Sequence, residues 1–487
     1  MFSFRLVPAA CSTTIPEFDV TEKPRQMHLG MFLQGAGHHV AGWRYPGADS
    51  GSENLPHLIR QAVTAERARF DMVFLADGLT SSEDGHPSQI ARLEPLMVLT
   101  AFAVATSRIG LAATASTTYG EPFHLARAFA SLDHISGGRA AWNAVTTSYA
   151  STGANFGVQH PAHADRYAIA EECIDVVRAL WDSWDDGAFP RDKSTGVFVD
   201  QSKRHVIDHK GEFFSVKGPL NTSRPPQGHP IIVQSGSSEP GQELAARTGD
   251  VVFTAHQTLE GAQVFYRGLK ARLPRFGRKP ADLAIMPGFL PVLGGTETEA
   301  RDKLALLDGW ADQSRVVGML SDRLGHDVSQ YDLDGPLPEL PVSEQIQSRA
   351  RLLTDAARRD NLTLRQLAQM VATGRGHFVM CGTPEQIADR MEEWFVAGAA
   401  DGFNVMPPYF PGGLDDFCSG VIPILQQRGL FRTDYEGPTL RDHFGFARPP
   451  NRHRSSAMQA LAASAAPSLP ARLRDSHISK TESKTET

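Results

Sequence analysis

The chain has 487 residues, of which 41% are hydrophobic and 21% charged, with a formal net charge of −7. This composition supports a large buried core and excludes a chain that is disordered overall. The acidic balance argues against nucleic-acid binding, which needs a clustered basic face, and against a polybasic membrane-surface protein. No apolar run approaches the ~18–20 residues needed to span a bilayer. We therefore expect no nucleic-acid or membrane partner and a cytoplasmic location.

The cysteines and the two chain ends carry little chemistry. No cysteine pair has metal-ligand or redox spacing, and a chain of this size needs no disulfide framework. The four cysteines are Cys11, Cys173, Cys381 and Cys418. Residues 1–24 are interpreted as a flexible N-terminal extension. Residues 451–487 are interpreted as a disordered tail, because they become rich in Ala and Ser and then in Ser, Thr, Lys and Glu.

Between these ends, apolar runs alternate with helical patterns, and continuous apolar runs are typical of buried parallel strands. The expected strands cover residues 27–33, 70–76, 109–114, 139–145, 231–235, 251–256, 284–293 and 402–406. Each of the first seven runs leads into a helical pattern before the next run. Eight such units predict an α/β fold, a (β/α)8 TIM barrel, over residues 25–450.

Two segments interrupt this alternation and are expected to be insertions. Residues 186–228 contain a predicted hairpin, and residues 297–375 are mostly helical and too long for one crossover. Local helix signals are clear elsewhere. Gly137 predicts a helix C-cap, and Thr383 with Gln386 predicts a capping box.

In a barrel of this kind, chemistry takes place at the C-terminal ends of the strands. The polar residues expected there are mostly neutral: His38, His39, Asp77, Thr114, Ser116, Asn143, Thr146, Thr147, Ser148, Ser235, Ser237, Ser238 and His256. Two adjacent loop histidines rarely ligate one ion, and no other cluster supports a metal site, so we expect none. Walker, GxGxxG and GxSxG motifs are absent, which lowers the weight of those enzyme classes.

Two segments could hold a phosphate. Residues 236–238 (GSS) join a strand to a helix N-terminus, where free amides and the helix dipole suit an anion, although a serine N-cap explains the same pattern. Arg166 and Tyr167 stand at the start of a long helix and could also reach a phosphate. The alternative for that segment is a solvated first turn capped by Asp165.

Several strings resemble one known family. They are MHLGMFLQGAGHHVAGWR (27–44), FLADGL (74–79), ATASTTYGEPFHLARAFASLDHISGGRAAWN (113–143), HADRY (163–167), VQSGSS (233–238), VFTAHQT (252–258) and GAADGFNVMPPYFPGGLDDF (398–417). Together they resemble the bacterial-luciferase-like superfamily. Within it, the match is to the two-component FMN-dependent monooxygenases that act on nitrilotriacetate, EDTA and dibenzothiophene sulfone. The resemblance runs from Met27 to Phe446.

The resemblance implies a luciferase-like (β/α)8 barrel with insertions and a flavin-dependent monooxygenase. Members take reduced FMN from a separate NAD(P)H:flavin reductase and use dioxygen to oxygenate a small organic substrate through a flavin 4a-hydroperoxide. The resemblance also implies a homo-oligomer. Two alternatives stay open: a flavin-binding barrel without oxygenase activity, and a deazaflavin-dependent oxidoreductase.

Carried over residue by residue, the resemblance implies a set of cofactor contacts. Asp77 meets the flavin ring or the ribityl chain, and Thr114 lines the flavin. His163 and Tyr167 hold the cofactor. The phosphate contact falls on Ser237 or on its neighbour Ser238.

The expected chemistry needs water exclusion and hydrogen bonding more than a strong acid or base, which suits a rim of hydroxyls, amides and histidines. We expect His38 or His39 to assist the peroxide or the substrate, and Asn143 to touch the flavin ring. Arg44 faces an anionic substrate group or forms a surface ion pair. The segment 297–375 forms a lid or provides dimer contacts.

Overall fold

The computed structural model describes residues 25–81, 85–341 and 347–454. The expected extension 1–24 and residues 455–487 of the expected tail lie outside the described residues. Asn451, the first residue of that expected tail, is buried, and its Nδ2 donates to the carbonyls of Asp182 and Trp184, each at 3.0 Å.

The strands, in chain order, are β1 (His28–Phe32), β2 (Met72–Leu75), β3 (Gly110–Ser116), β4 (Ala140–Val145), β5 (His209–Lys210), β6 (Ser215–Val216), β7 (Ile231–Gln234), β8 (Val251–Thr254), β9 (Ala284–Leu293), β10 (Phe378–Gly382) and β11 (Gly402–Val405). Short β5 and β6 pair antiparallel and form the hairpin expected within residues 186–228.

The helices are α1 (Leu55–Arg67), α2 (Pro87–Ile90), α3 (Pro95–Ala105), α4 (Pro122–Ser136), α5 (Thr152–Asn155), α6 (His163–Trp181), α7 (Glu239–Thr248), α8 (Leu259–Lys270), α9 (Glu297–Gly309), α10 (Gln313–Leu324), α11 (Gln347–Arg359), α12 (Leu364–Gly374), α13 (Pro384–Val396), α14 (Gly412–Asp416), α15 (Ile422–Gln427) and α16 (Leu440–His443). None of the helices in the described ranges is long and apolar enough to cross a membrane.

Eight parallel strands close into a barrel in the order β1-β2-β3-β4-β7-β8-β9-β11, with β11 pairing back onto β1. The prediction of a (β/α)8 barrel is confirmed. All eight predicted strand segments contain a barrel strand, because a strand covered on both faces is mostly apolar along its length. The helix signals are also confirmed: Gly137 has a left-handed φ of 69°, and Thr383 and Gln386 form the capping box.

Strand β10 was not predicted. The first half of β9 pairs with β8, while Phe289–Leu293 continue past the barrel and pair in parallel with β10. The first four residues of β10 are only half-buried, and the strand leads directly into the cap of α13. Such a short run between two helices carries no clear period, and pattern alone does not distinguish it from a helix end.

Aromatic rings close the interior of the barrel below the site. Phe32, Phe74 and Phe253 come from β1, β2 and β8, and their ring centroids lie 5.0 to 5.5 Å apart. All three are buried, and together with Met72 and Met286 they belong to one core cluster. They form a hydrophobic floor under the C-terminal ends of the strands.

Helices α9 to α12 occupy most of the expected insertion 297–375 and pack against the loop after β1. Val40 and Ala41 of that loop share a core cluster with α10, α11 and α12. Asp308 at the end of α9 accepts hydrogen bonds from His39 Nε2 at 2.9 Å and from Thr373 Oγ1 at 3.2 Å. These contacts fix the inserted helices against the barrel mouth.

Candidate functional site

Two adjoining cavities lie at the C-terminal ends of the barrel strands. The first, which we call the hydroxyl cavity, has a volume of about 470 Å³ and is bordered by β3, β4, β7 and the start of α6. The second, the arginine cavity, has a volume of about 500 Å³ and lies between the barrel mouth and helices α10 to α12. Asp77, Gly78 and Tyr149 line both cavities, so the two form one continuous site.

A chain of hydrogen bonds links four strand ends along the hydroxyl cavity. Ser235 Oγ donates to Asn143 Oδ1 at 2.8 Å, and Asn143 Nδ2 donates to Thr114 Oγ1 at 2.8 Å. Thr114 Oγ1 in turn donates to the Leu75 carbonyl at 2.8 Å. Because each group in this chain has a defined partner, the chain fixes the orientation of the Asn143 amide and of the Thr114 hydroxyl.

The start of α7 forms a close-packed cradle at one end of the hydroxyl cavity. Ser238 is the N-cap, and its Oγ accepts from the Gly241 amide at 3.3 Å and lies 3.0 Å from Tyr167 Oη. A Cβ on Gly241 would stand 2.9 Å from the Gly236 Cα. Only glycines permit this approach of the β7–α7 loop to the first turn of the helix.

The start of α6 borders the same cradle. The His163 ring lies beside the Tyr167 ring, with centroids 5.1 Å apart. Arg166 is buried and donates from Nη1 to His160 Nε2 at 2.6 Å, while His160 Nδ1 lies 2.6 Å from Tyr119 Oη. This end of the cavity therefore combines two aromatic hydroxyls with a buried guanidinium.

Asp77 stands where the two cavities meet. Its Oδ1 lies 3.3 Å from Arg92 Nε, and Arg92 also donates to the Gly78 carbonyl at 3.1 Å. Burial raises the pKa of Asp77, and the Arg92 guanidinium opposes part of that rise. The ion pair therefore places between the two cavities a carboxylate whose charge is balanced by Arg92.

Cationic side chains dominate the arginine cavity. Four arginines line it, namely Arg92, Arg323, Arg349 and Arg375, against the carboxylates Asp77 and Asp322. Burial, followed by neighbouring guanidinium groups, lowers the pKa of Arg375 to about 9 and of Arg349 to about 10. Both side chains remain charged at neutral pH.

The structure places the predicted cofactor residues close together. Asp77, Thr114, His163, Tyr167 and Ser238 line the hydroxyl cavity. Asn143 lies directly behind this wall in the hydrogen-bond chain described above. The pattern left Ser237 and Ser238 as alternatives, and Ser238 is the one that lines the cavity. The Ser237 carbonyl accepts from Gln242 Nε2 at 3.0 Å.

The predicted histidines lie in the wall rather than on the surface of either cavity. His38 is buried, its Nε2 donates to the Phe32 carbonyl at 2.7 Å and its Nδ1 accepts from Arg375. His39 is held by Asp308 and lines neither cavity. Arg44, predicted to face the substrate or form an ion pair, instead donates to the Trp310 carbonyl at 2.6 Å and lines neither cavity.

Arg323, Arg349 and Arg375 were not among the site residues predicted from sequence. All three come from the inserted helices or the residue that ends α12. No motif surrounds them, and the insertion also carries many carboxylates. Only the packing of α10, α11 and α12 over the barrel brings the three together.

Three buried histidines near the arginine cavity predict a loss of stability in acid. Burial holds the pKa values of His38, His86 and His377 well below 6.5, so the unfolded chain binds more protons than the folded chain below that pH. The contribution of these neutral rings to the free energy of unfolding is fully present above about pH 6.5. As the pH falls below that value, it decreases by up to about 1.4 kcal/mol per pH unit for each histidine.

Urea unfolding at pH 7.5 and at pH 5 measures this loss. We expect a clearly lower midpoint at pH 5, and a shallower pH dependence in His377→Gln. The exposed His124 on α4 provides the control, and His124→Gln should leave the pH dependence unchanged. Equal midpoints for the native protein at the two pH values would contradict the neutral, buried state of these rings.

Comparison with known proteins agrees with this geometry. Residues 27–401 match the family model described as luciferase-like monooxygenase. The chain is 52% identical over 439 residues to N-acetyl-S-(2-succino)cysteine monooxygenase of Bacillus subtilis, covering 89% of this chain and 100% of that protein. It is 48% identical over 443 residues to nitrilotriacetate monooxygenase component A of Aminobacter aminovorans, covering 88% and 98%.

Among solved structures, a riboflavin lyase with modified FMN and its substrate riboflavin matches with a TM-score of 0.78 and 34% identity, covering 87% of this chain and 97% of that one. The family model covers β1 to β10, including all the strands that border the two cavities. The chain therefore belongs to the luciferase-like monooxygenase family and is an enzyme of that class.

Proposed function

We propose that this chain is the oxygenase component of a two-component system. It binds reduced FMN in the hydroxyl cavity and uses dioxygen to oxygenate a small organic substrate held in the arginine cavity. The observation that carries the proposal is the cradle at the start of α7, where Ser238 and Tyr167 meet the closely packed Gly236 and Gly241. A helix N-terminus with such a loop suits a phosphate group.

The hydroxyl cavity fits FMN in size and in polarity. Its volume lies within the range of about 300–1,000 Å³ that is typical of small-molecule sites. Gln234 Nε2 is buried, lines this cavity and has no hydrogen-bond partner among the described residues. It can donate to a flavin carbonyl or a ribityl hydroxyl. The Ser235–Asn143–Thr114 chain adds oriented polar groups beside it.

Each part of the site has a separate role in this proposal. When bound, reduced FMN supplies the two electrons that activate dioxygen. Ser238, Tyr167 and the α7 amides hold the phosphate, and Asp77 lies at the boundary with the substrate. The aromatic floor and the inserted helices exclude bulk water, which favours oxygenation over unproductive side reactions.

The relatives support a separate reductase. Nitrilotriacetate monooxygenase of Aminobacter aminovorans is named as component A, which indicates a system of more than one component. We propose that an NAD(P)H:flavin reductase supplies the reduced FMN.

The geometry favours a positioning role for the two histidines. Both nitrogens of His38 are used, one by the Phe32 carbonyl and one by Arg375. His38 therefore acts on the substrate through Arg375, and His39 acts through Asp308 by holding the inserted helices. Neither ring offers a free nitrogen to a reacting atom in this arrangement.

Removing the hydroxyl of Ser238 should weaken reduced-FMN binding about tenfold, because one hydrogen bond to a charged group is lost. Anaerobic titration with reduced FMN measures the affinity. The matched control is Thr258→Ala, since Thr258 caps α8 as Ser238 caps α7 and accepts from Gly261 at 3.2 Å. Equal affinities in Ser238→Ala and Thr258→Ala would contradict a phosphate site at α7.

A further inference from the structure

We propose that the arginine cavity takes a substrate with two or three carboxylates, held by Arg349 and Arg375. This inference rests on the proposed function, and it names the class of substrate that the oxygenase acts on. It also gives the inserted helices α10 to α12 a role, because they bring these two side chains to the barrel mouth.

The charges of Arg349 and Arg375 in the arginine cavity are not balanced by carboxylates in the part of the chain that the structure describes. Among the described residues, no carboxylate lies within 4 Å of Arg349 or Arg375, whereas Arg92 in the same cavity is paired with Asp77. The charged groups that act most strongly on Arg375 are Arg323 and Arg349, both cations. A buried charge is unfavourable unless it is paired, so this arrangement favours an anionic ligand.

Neutral groups hold the side chains of Arg349 and Arg375 in place. Arg349 Nη1 donates to the Arg375 carbonyl at 3.1 Å, and Arg375 donates to His38 and lies over the Phe32 ring at 5.4 Å. Both guanidinium groups are thus oriented by neutral partners. Arg349 Nη2 also lies 3.4 Å from His377 Nε2, and both arginines line the cavity. The planar fork of arginine matches a carboxylate through two parallel hydrogen bonds.

The backbone at Arg375 adds an independent observation. Arg375 ends α12 with a φ of 54°, in the left-handed region that non-glycine residues rarely adopt. A glycine or asparagine is the usual residue at such a helix end. A strained arginine is retained where its side chain serves a site, and here that side chain lines the cavity.

The cavity also offers an acceptor. Gln34 is buried, lines the arginine cavity, and its Oε1 has no hydrogen-bond partner among the described residues. This oxygen can accept a hydrogen bond from an N–H or O–H group elsewhere on the same ligand. The two relatives described above are named for N-acetyl-S-(2-succino)cysteine and nitrilotriacetate, each of which carries three carboxylates. Three carboxylates on one compound match the positive charge of the arginine cavity.

Binding of tricarballylate, a tricarboxylate that lacks a sulfur or nitrogen centre, tests the proposal without any flavin. Isothermal titration of the full chain should detect binding that weakens with rising salt. Arg349→Gln should weaken it about 10- to 100-fold, and Arg349→Lys should restore part of the loss because it keeps the charge. The control is Arg351→Gln, which changes an exposed arginine on the same helix.

A second arm uses oxygenation of N-acetyl-S-(2-succino)cysteine and of its trimethyl ester. We expect turnover of the acid, little turnover of the ester, and a raised KM for the acid in Arg349→Gln. Equal turnover of acid and ester, or equal tricarballylate affinity in Arg349→Gln and Arg351→Gln, would overturn the proposal. Failure to bind reduced FMN is measured separately, and it would overturn the proposed function while leaving the tricarballylate result to stand.

Discussion

Replacing Gly241 with alanine is expected to remove most of the affinity for reduced FMN. The new Cβ would stand 2.9 Å from the Gly236 Cα and 3.1 Å from Tyr167 Oη. Backbone atoms cannot give way locally, so the β7–α7 loop has to move away from the helix start. The α7 amides and Ser238 would then no longer point together at the proposed phosphate site, since a small displacement weakens oriented hydrogen bonds.

We expect an affinity loss of at least about 100-fold, since several hydrogen bonds to one charged group are disturbed together. Anaerobic titration with reduced FMN gives the affinity, and circular dichroism confirms the fold. Gly268→Ala in α8 is the control, because a Cβ there meets nothing within 4 Å. A Gly241→Ala protein that binds reduced FMN as tightly as Gly268→Ala would show that the cofactor phosphate lies elsewhere.

The second large effect concerns stability at the opposite end of the barrel. Asp71 is fully buried, and its carboxylate accepts from the Leu29 amide at 2.7 Å, from Arg432 at 2.5 Å and from His28 at 3.0 Å. These partners hold its pKa below the usual value despite burial. Asp71 therefore joins the starts of β1 and β2 to the segment that follows α15.

Asp71→Ala should lower the free energy of unfolding by about 3–5 kcal/mol, because it leaves Arg432 as a buried, unpaired charge. Urea unfolding measures the loss. Asp434→Ala, which removes an exposed partner of Arg69, should change stability by less than about 0.5 kcal/mol. Because Asp71 lies away from the strand ends that carry the site, reduced-FMN affinity of the folded variant should stay unchanged. A loss below about 1 kcal/mol would contradict this account of Asp71.

The barrel could be predicted from sequence because its strands are buried on both faces and its helices carry local signals. Residues 284–293 are apolar throughout and residues 70–76 are apolar except for Asp71, while Gly137 and Thr383 mark helix ends by their own chemistry. The polar residues at the strand ends followed from the same pattern. Their grouping in one cavity, with Asp77 and Thr114 on adjacent strands, is a direct consequence of strand order.

The arginine cavity could not be predicted, because its charge comes from residues distant in sequence. Arg349 lies on α11 and Arg375 is the C-cap of α12, and whether they face solvent or the barrel depends on tertiary packing. Strand β10 was missed for a similar reason, since it is a half-buried strand defined by pairing with the overhang of β9. Local pattern also left Ser237 and Ser238 as alternatives, and only the structure shows that Ser238 is the N-cap of α7.

Transfer of oxygen from ¹⁸O₂ to a product distinguishes an oxygenase from a flavin-binding barrel without that activity. The chain would be combined with FMN, NADH and an unrelated NADH:flavin reductase, with N-acetyl-S-(2-succino)cysteine as the probe, and the product analysed by mass spectrometry. The account predicts one labelled oxygen atom per product molecule, only when both proteins are present. Reoxidation of the flavin without any labelled product, across this probe and nitrilotriacetate, would contradict it and favour a flavin-binding barrel without oxygenase activity.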